Sequence, residues 1–190
     1  MSFNVNDFKS RLVDGGARAN LFRVTFTAPA VAGLNNETAS FLCRSAGIPA
    51  SVISPVEVPY RGRIVKFAGD RTFEPWTVTM YNDAGFTLRA AFERWQSEIE
   101  NHAAATGNPA WDDYSAELDV VHLSKKGDPI RRYRFYNAFP TNIAQIDLTY
   151  DQQTTIEEYT VEFQYDYWLA NELAPGVDGV NLVNAPPLTA

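Results

Sequence analysis

Two histidines, one cysteine and twenty-three carboxylates are the side chains of this 190-residue chain that could carry acid–base, nucleophilic or metal chemistry. His102 and His122 each stand without a second ligand-type residue at metal-binding spacing. With Cys43 as the single thiol, a structural zinc site lacks ligands. Cys43 sits in an apolar stretch with no neighbouring base, which is the setting of a packed thiol rather than a nucleophile. The sequence has no nucleophile elbow, no phosphate-cradling glycine loop and no dinucleotide fingerprint. Paired carboxylates could hydrolyse glycosides, but Glu158 and Glu162 on one strand face stand roughly 13 Å apart. Either glycosidase geometry uses a separation below about 10 Å. The residues therefore point away from an enzyme and call for no cofactor and no metal.

Cationic residues cluster twice. Lys125, Lys126, Arg131, Arg132 and Arg134 gather at one predicted hairpin; Arg61, Arg63, Lys66 and Arg71 gather on a long proline-rich stretch. Interleaved with Tyr133, Phe135 and Tyr136, the first cluster could grip a nucleic acid strand. The alternative is self-association, in which a basic arm of one copy meets the acidic body of another. Sixteen basic residues against twenty-three acidic ones give a net charge of −7. A chain of that balance repels phosphate backbones as a whole.

The elements that must position these residues are mostly strands. An amphipathic helix is expected over 5–13, followed by strands over 20–27 and 40–45 with a turn at 29–36 between them. Residues 47–75 form the proline-rich arm, turning at Arg61-Gly62-Arg63; connections of this length usually serve a function. Trp76–Tyr81 alternates as a strand. A helix is expected over 84–101, capped at Asn82-Asp83, with Leu88, Phe92, Trp95 and Ile99 as its apolar stripe. A hairpin follows at 118–123 and 130–139, then a final strand pair at 143–150 and 156–168. Strict alternation from Tyr159 onward predicts one face on the core and one in water. Asp147, Asp151, Glu158, Glu162 and Asp166 would share the wet face. Residues 171–190 read as an extended tail. About eight strands with one substantial helix imply a mainly β protein, an antiparallel β-sandwich or barrel.

Several of these blocks carry a resemblance. Gly15-Gly16-Ala17-Arg18-Ala19-Asn20-Leu21-Phe22-Arg23-Val24, the run from Phe67-Ala68-Gly69-Asp70-Arg71-Thr72-Phe73 to Met80-Tyr81-Asn82-Asp83, and Tyr165-Asp166-Tyr167-Trp168 resemble the tail tube proteins of contractile-tailed bacteriophages. Phe92-Glu93-Arg94-Trp95-Gln96-Ser97 and Phe139-Pro140-Thr141-Asn142-Ile143 are similar to that family too. The similarity extends from about residue 5 to residue 168.

The resemblance implies a tail-tube β domain over residues 1–170, with 171–190 as a separate tail. It implies hexameric rings that stack into a hollow conduit, each subunit lending strands to a shared inner barrel. The implied partners are further copies of the chain, a contractile sheath, a baseplate, a tape-measure protein and passing DNA held without specific binding, with no membrane. Assembly would take place in host cytoplasm and end in the virion. On this reading Arg61, Arg63, Lys66 and Arg71 belong to a ring-stacking arm. The five carboxylates Asp147, Asp151, Glu158, Glu162 and Asp166 are lumen-facing candidates. The alternative is a carbohydrate-binding β-sandwich module.

Overall fold

Where backbone hydrogen bonds find partners decides the layout. The computed structural model describes residues 4–12, 16–151 and 154–172. In chain order the elements are α1 (Val5–Arg11), β1 (Phe22–Thr27), α2 (Asn36–Leu42), β2 (Cys43–Ala46), β3 (Val52–Tyr60), β4 (Arg63–Thr72) and β5 (Trp76–Tyr81). There follow α3 (Thr87–Ile99), the two-residue pieces β6 (Glu100–Asn101) and β7 (Thr106–Gly107), α4 (Trp111–Tyr114), β8 (Ala116–Leu123), β9 (Pro129–Ile143), β10 (Glu158–Gln164) and β11 (Tyr167–Glu172). All the pairings are antiparallel.

The long strand β9 belongs to two layers. Its first part pairs with β8 and β11, and β8 pairs in turn with β1. Its last residues pair with β10, which continues to β5 and then to β2. The result is a sandwich whose layers share one bent strand. Asn137, with φ +54°, sits in β9 just before the pairing passes from β8 at Ala138 to β10 at Phe139.

The inward faces meet in an aromatic core. Phe163 is fully buried and lies within about 6 Å, centroid to centroid, of Phe26, Trp76, Phe92 and Trp95. Phe26 comes from one layer, Trp76 and Phe163 from the other, and Phe92 and Trp95 from α3. The alternation read from the sequence is therefore real over β10, where Tyr159, Val161 and Phe163 are buried, and Tyr165 just beyond it is buried too. The predicted stripe of α3 is also confirmed, with Leu88, Phe92 and Trp95 buried and Ile99 packed against the core.

Five local expectations are corrected. Residues 40–42 belong to helix α2, because the Asn35 side chain accepts hydrogen bonds from the Glu37 and Thr38 N–H groups and so nucleates a helix. The turn expected over 29–36 is in part a single 3₁₀ turn, Ala30–Ala32. Helix α3 begins at Thr87 rather than 84, with the Asp83 carboxylate accepting from both the Thr87 N–H and its hydroxyl. The strand expected over 143–150 does not form beyond Ile143. The pairing of β9 with β10 ends at Ile143 opposite Val161, Ala144 adds one last N–H to the Thr160 carbonyl, and Leu148 and Tyr150 stand 78% and 100% exposed. Strand β10 also ends at Gln164, and the chain re-pairs as β11 in the other layer. The tail expected over 171–190 lies outside the described residues, apart from 171 and 172, which end β11.

Phe163 touches side chains from every layer, so its removal leaves a cavity that no single element can close. Phe163→Ala should destabilise the fold by about 3–5 kcal/mol. Thr160→Ala, on the outer face of the same strand, should stay within about 0.5 kcal/mol. Urea titration followed by tryptophan fluorescence measures both.

Candidate assembly surfaces

Strands β3 and β4 form a two-stranded ribbon that stands away from the body. An isolated hairpin of this kind is only marginally stable in water. Its apolar side chains are nevertheless uncovered: Ile64 is 60% and Phe67 57% exposed, with Val56, Val58 and Tyr60 exposed as well. Single exposed hydrophobics are ordinary, but a ribbon carrying them on both faces is an interaction surface.

The ribbon's geometry is specified in detail. Its tip is a two-residue turn in which Arg61 and Gly62 both have positive φ, +45° and +81°. That combination matches the right-handed twist of hairpins and favours Asn-Gly, so Arg61 occupies a position its side chain disfavours. The Arg61 guanidinium lies 5.6 Å from the Tyr60 ring centre. Near the root, the register shifts between Ile53 and Pro55. There Gly69 comes so close to its partner strand that an added Cβ would lie 2.5 Å from the Ser54 carbonyl oxygen.

The root itself is clamped to the body. The Trp76 indole donates to the Gly47 carbonyl (2.8 Å) and the Trp168 indole to the Ala50 carbonyl (3.2 Å), while the Tyr165 hydroxyl donates to the Glu74 carbonyl (2.9 Å). Phe73 packs on the rings of Tyr165 and Trp168. Of the four predicted arm cations, Lys66 is paired with Glu57 across the ribbon at 3.0 Å. Arg61, Arg63 and Arg71 are exposed and have no carboxylate partner among the described residues.

A second unpartnered surface is the rim of the four-stranded layer. Its strands run in the order β9, β10, β5, β2, so β2 and the final residues of β9 each present one unpaired side. Natural proteins seldom leave such edges open without a device to protect them.

The five acidic candidates do not form one face. Glu158 and Glu162 project from the outer side of β10, where Glu158 forms an ion pair with Arg44 beside the β2 edge. Asp147 and Asp151 lie in the unpaired segment after β9, and Asp166 sits at the bend between β10 and β11, accepting from the Asn137 amide at 2.6 Å. The correction follows from the absence of a strand over 144–150.

The other chemistry-bearing residues are accounted for. Arg134 donates in fork fashion to Asp119 (2.9 and 3.1 Å) and lies 3.2 Å from Glu117, so the hairpin cluster spends much of its charge internally. The sequence could not show this, because Asp119 meets Arg134 only through the β8–β9 register. His102 is exposed beyond α3 and His122 is half-buried in β8. No group of three or more metal-type ligands comes together among the described residues. Cys43 is buried, and burial pushes its thiol up to about 12, outweighing the opposing effect of the Ser45 backbone. No helix among the described residues is long and apolar enough to cross a membrane.

The family model for phage tail tube proteins matches residues 17–171. The chain belongs to this family. It is 30% identical over 155 residues to tail tube protein gp19 of Enterobacteria phage T4, covering 80% of this chain and 90% of that one. It is 26% identical over 167 residues to the tail tube protein of Serratia phage KSP90, covering 85% and 93%. Its fold is similar to a chain of the anti-feeding prophage baseplate, with a TM-score of 0.60, 14% identity, and 82% and 95% of the two chains covered. It is also similar to a chain in the sheath–tube complex of the PVC extracellular contractile injection system, with a TM-score of 0.56, 11% identity, and 90% and 100% covered. The protein is a structural subunit of the tail-tube type and not an enzyme.

Two outcomes are expected from these surfaces. Gly69→Ala should distort the arm by steric conflict with Ser54 while leaving the melting temperature of the body unchanged, as limited proteolysis of the arm and a calorimetric scan would show. Cys43 should resist a maleimide at pH 8 in the folded chain and react fully in guanidinium, read by intact-mass spectrometry.

Proposed function

We propose that copies of this chain close into hexameric rings, that the rings stack into a tube, and that the four-stranded layer of each subunit supplies the wall of the channel. The observation that carries this reading is the pair of open edges. With four strands alternating in direction, β2 and the end of β9 run antiparallel, so β2 of one copy continues the layer of the next without a change of pattern. Closure of such a ring pairs both open edges of this layer. The similar baseplate structure is described as 6-fold symmetrised, and the similar PVC structure is a sheath–tube complex, which supports six copies and a surrounding sheath.

In this arrangement the arm tip, with Arg61 and Arg63, reaches the adjacent ring, and its uncovered apolar residues are buried there. The basic residues of the arm meet the acidic surface of a neighbour, as the net charge of −7 favours. The outer face of the four-stranded layer, with Glu158 and Glu162, looks into the channel, and Asp147, Asp151 and Asp166 add to its rim. A wall of this sign repels phosphates and lets a genome slide without adhesion. Residues 1–170 act as the tube-forming domain. A sheath, a baseplate and a tape-measure protein complete the partners, with assembly in host cytoplasm and residence in the virion tail.

Reversing Arg61 and Arg63 to Glu should leave the monomer folded by circular dichroism and slow tube growth seen by negative-stain microscopy; tubes forming at the normal rate would refute the arm's role. Replacing Glu162 and Thr79 with Lys should retard DNA ejection from assembled particles without weakening the rings. Unchanged ejection would argue that this face looks towards the sheath.

A further inference from the structure

A groove of about 580 Å³ runs between the C-terminal end of α3 and the end of β9. Ile99, Phe139 and Pro140 form its apolar floor, and Glu93, Glu100 and His102 stand among its walls. No Lys or Arg lines it. Glu93 is held by Arg89 at 3.0 Å, whereas Glu100 has no cation partner among the described residues. Such a groove suits an arginine flanked by apolar side chains.

Register shows which arginine can reach it. Trp76 is opposite Phe163, and Phe163 is opposite Pro140. The chain leaves β2 after Ala46, which faces Val78, two residues from Trp76 on the next strand. The arm root and the groove therefore lie at the same end of the four-stranded layer, on its two opposite edges. If β2 of one copy joins β9 of the next, the arm root of the first emerges beside the groove of the second. Arg71, paired with Ile53 at that root, is the cation delivered there, and it has no carboxylate partner in its own chain among the described residues. Arg61 and Arg63 lie at the far end of the ribbon, roughly 30 Å away along nine residues of strand.

From this juxtaposition we infer that the groove at the α3–β9 corner is the lateral docking site for a second copy of this chain, whose Arg71 sits against Glu100 while its arm-root apolar residues cover the half-buried Phe139. The inference rests on the ring reading above and adds the contact that fixes each neighbour's position. An arginine held in a partly desolvated acidic groove sets registry, and a reversed charge there is strongly unfavourable.

The test mixes full-length Arg71→Cys and Glu100→Cys chains, with Cys43 shielded by burial, and treats the assembled protein with a short bis-maleimide. A covalent dimer that appears in the mixture and in neither chain alone is the expected result. In parallel, Arg71→Glu and Glu100→Arg should each lower the assembled fraction about tenfold or more, and the double reversal should restore it. Tubes or rings that form normally but yield no mixed dimer, or single reversals without effect, overturn the docking site and leave the ring reading standing. A chain that never associates at any concentration overturns both.

Discussion

Every backbone N–H and C=O needs a partner, and in the four-stranded layer only the two inner strands have theirs on both sides. Strands β5 and β10 each have a neighbour on both sides; β2 and the end of β9 do not. The rest of the molecule is arranged around that imbalance. The second layer and α3 cover the inner face with Phe26, Phe92 and Trp95, which closes a dry core within one subunit. The rim remains available, and the family to which the chain belongs uses subunits of this type to build tubes. A closed ring answers the constraint with no additional structure, because an even number of alternating strands per subunit keeps the pattern continuous.

The arm repeats the theme at a smaller scale. A ribbon with Val56, Val58, Ile64 and Phe67 uncovered would be a liability in a solitary protein. Its tip turn, its root bulge and the three clamping hydrogen bonds show a shape fixed before any partner arrives. Pre-organisation of this kind lowers the ordering cost of association. Loss of the arm's shape and loss of its charges are therefore separable effects.

Much of the fold was legible in the sequence, and the reasons are particular. The period-two run from Tyr159 to Tyr165 and the three-to-four spacing of Leu88, Phe92 and Trp95 each reflect burial on one face, and burial is a local pattern. Residues 143–150 carry the same signal without becoming a strand: alternation reports a willingness to pair, but here it buries neither face, and Leu148 and Tyr150 stay exposed. Residues 40–42 were misread because a helix cap at Asn35 outweighed the β-prone Phe41 and Leu42. The arm's existence followed from its prolines and glycines. Its exposure, the pairing of Arg134 with Asp119 and the acidic groove by α3 depend on register between distant strands, which no local pattern encodes.

The clamp at the arm root has a mechanical side. Trp76 holds the Gly47 carbonyl with its indole N–H while its ring packs 4.6 Å from Phe135, deep in the sandwich. A load applied to the ribbon by a neighbouring molecule thus enters the subunit at its densest point and spreads through aromatic contacts across both layers. In a stack of such subunits, tension passed from one molecule to the next would run through these rings rather than through a loose joint.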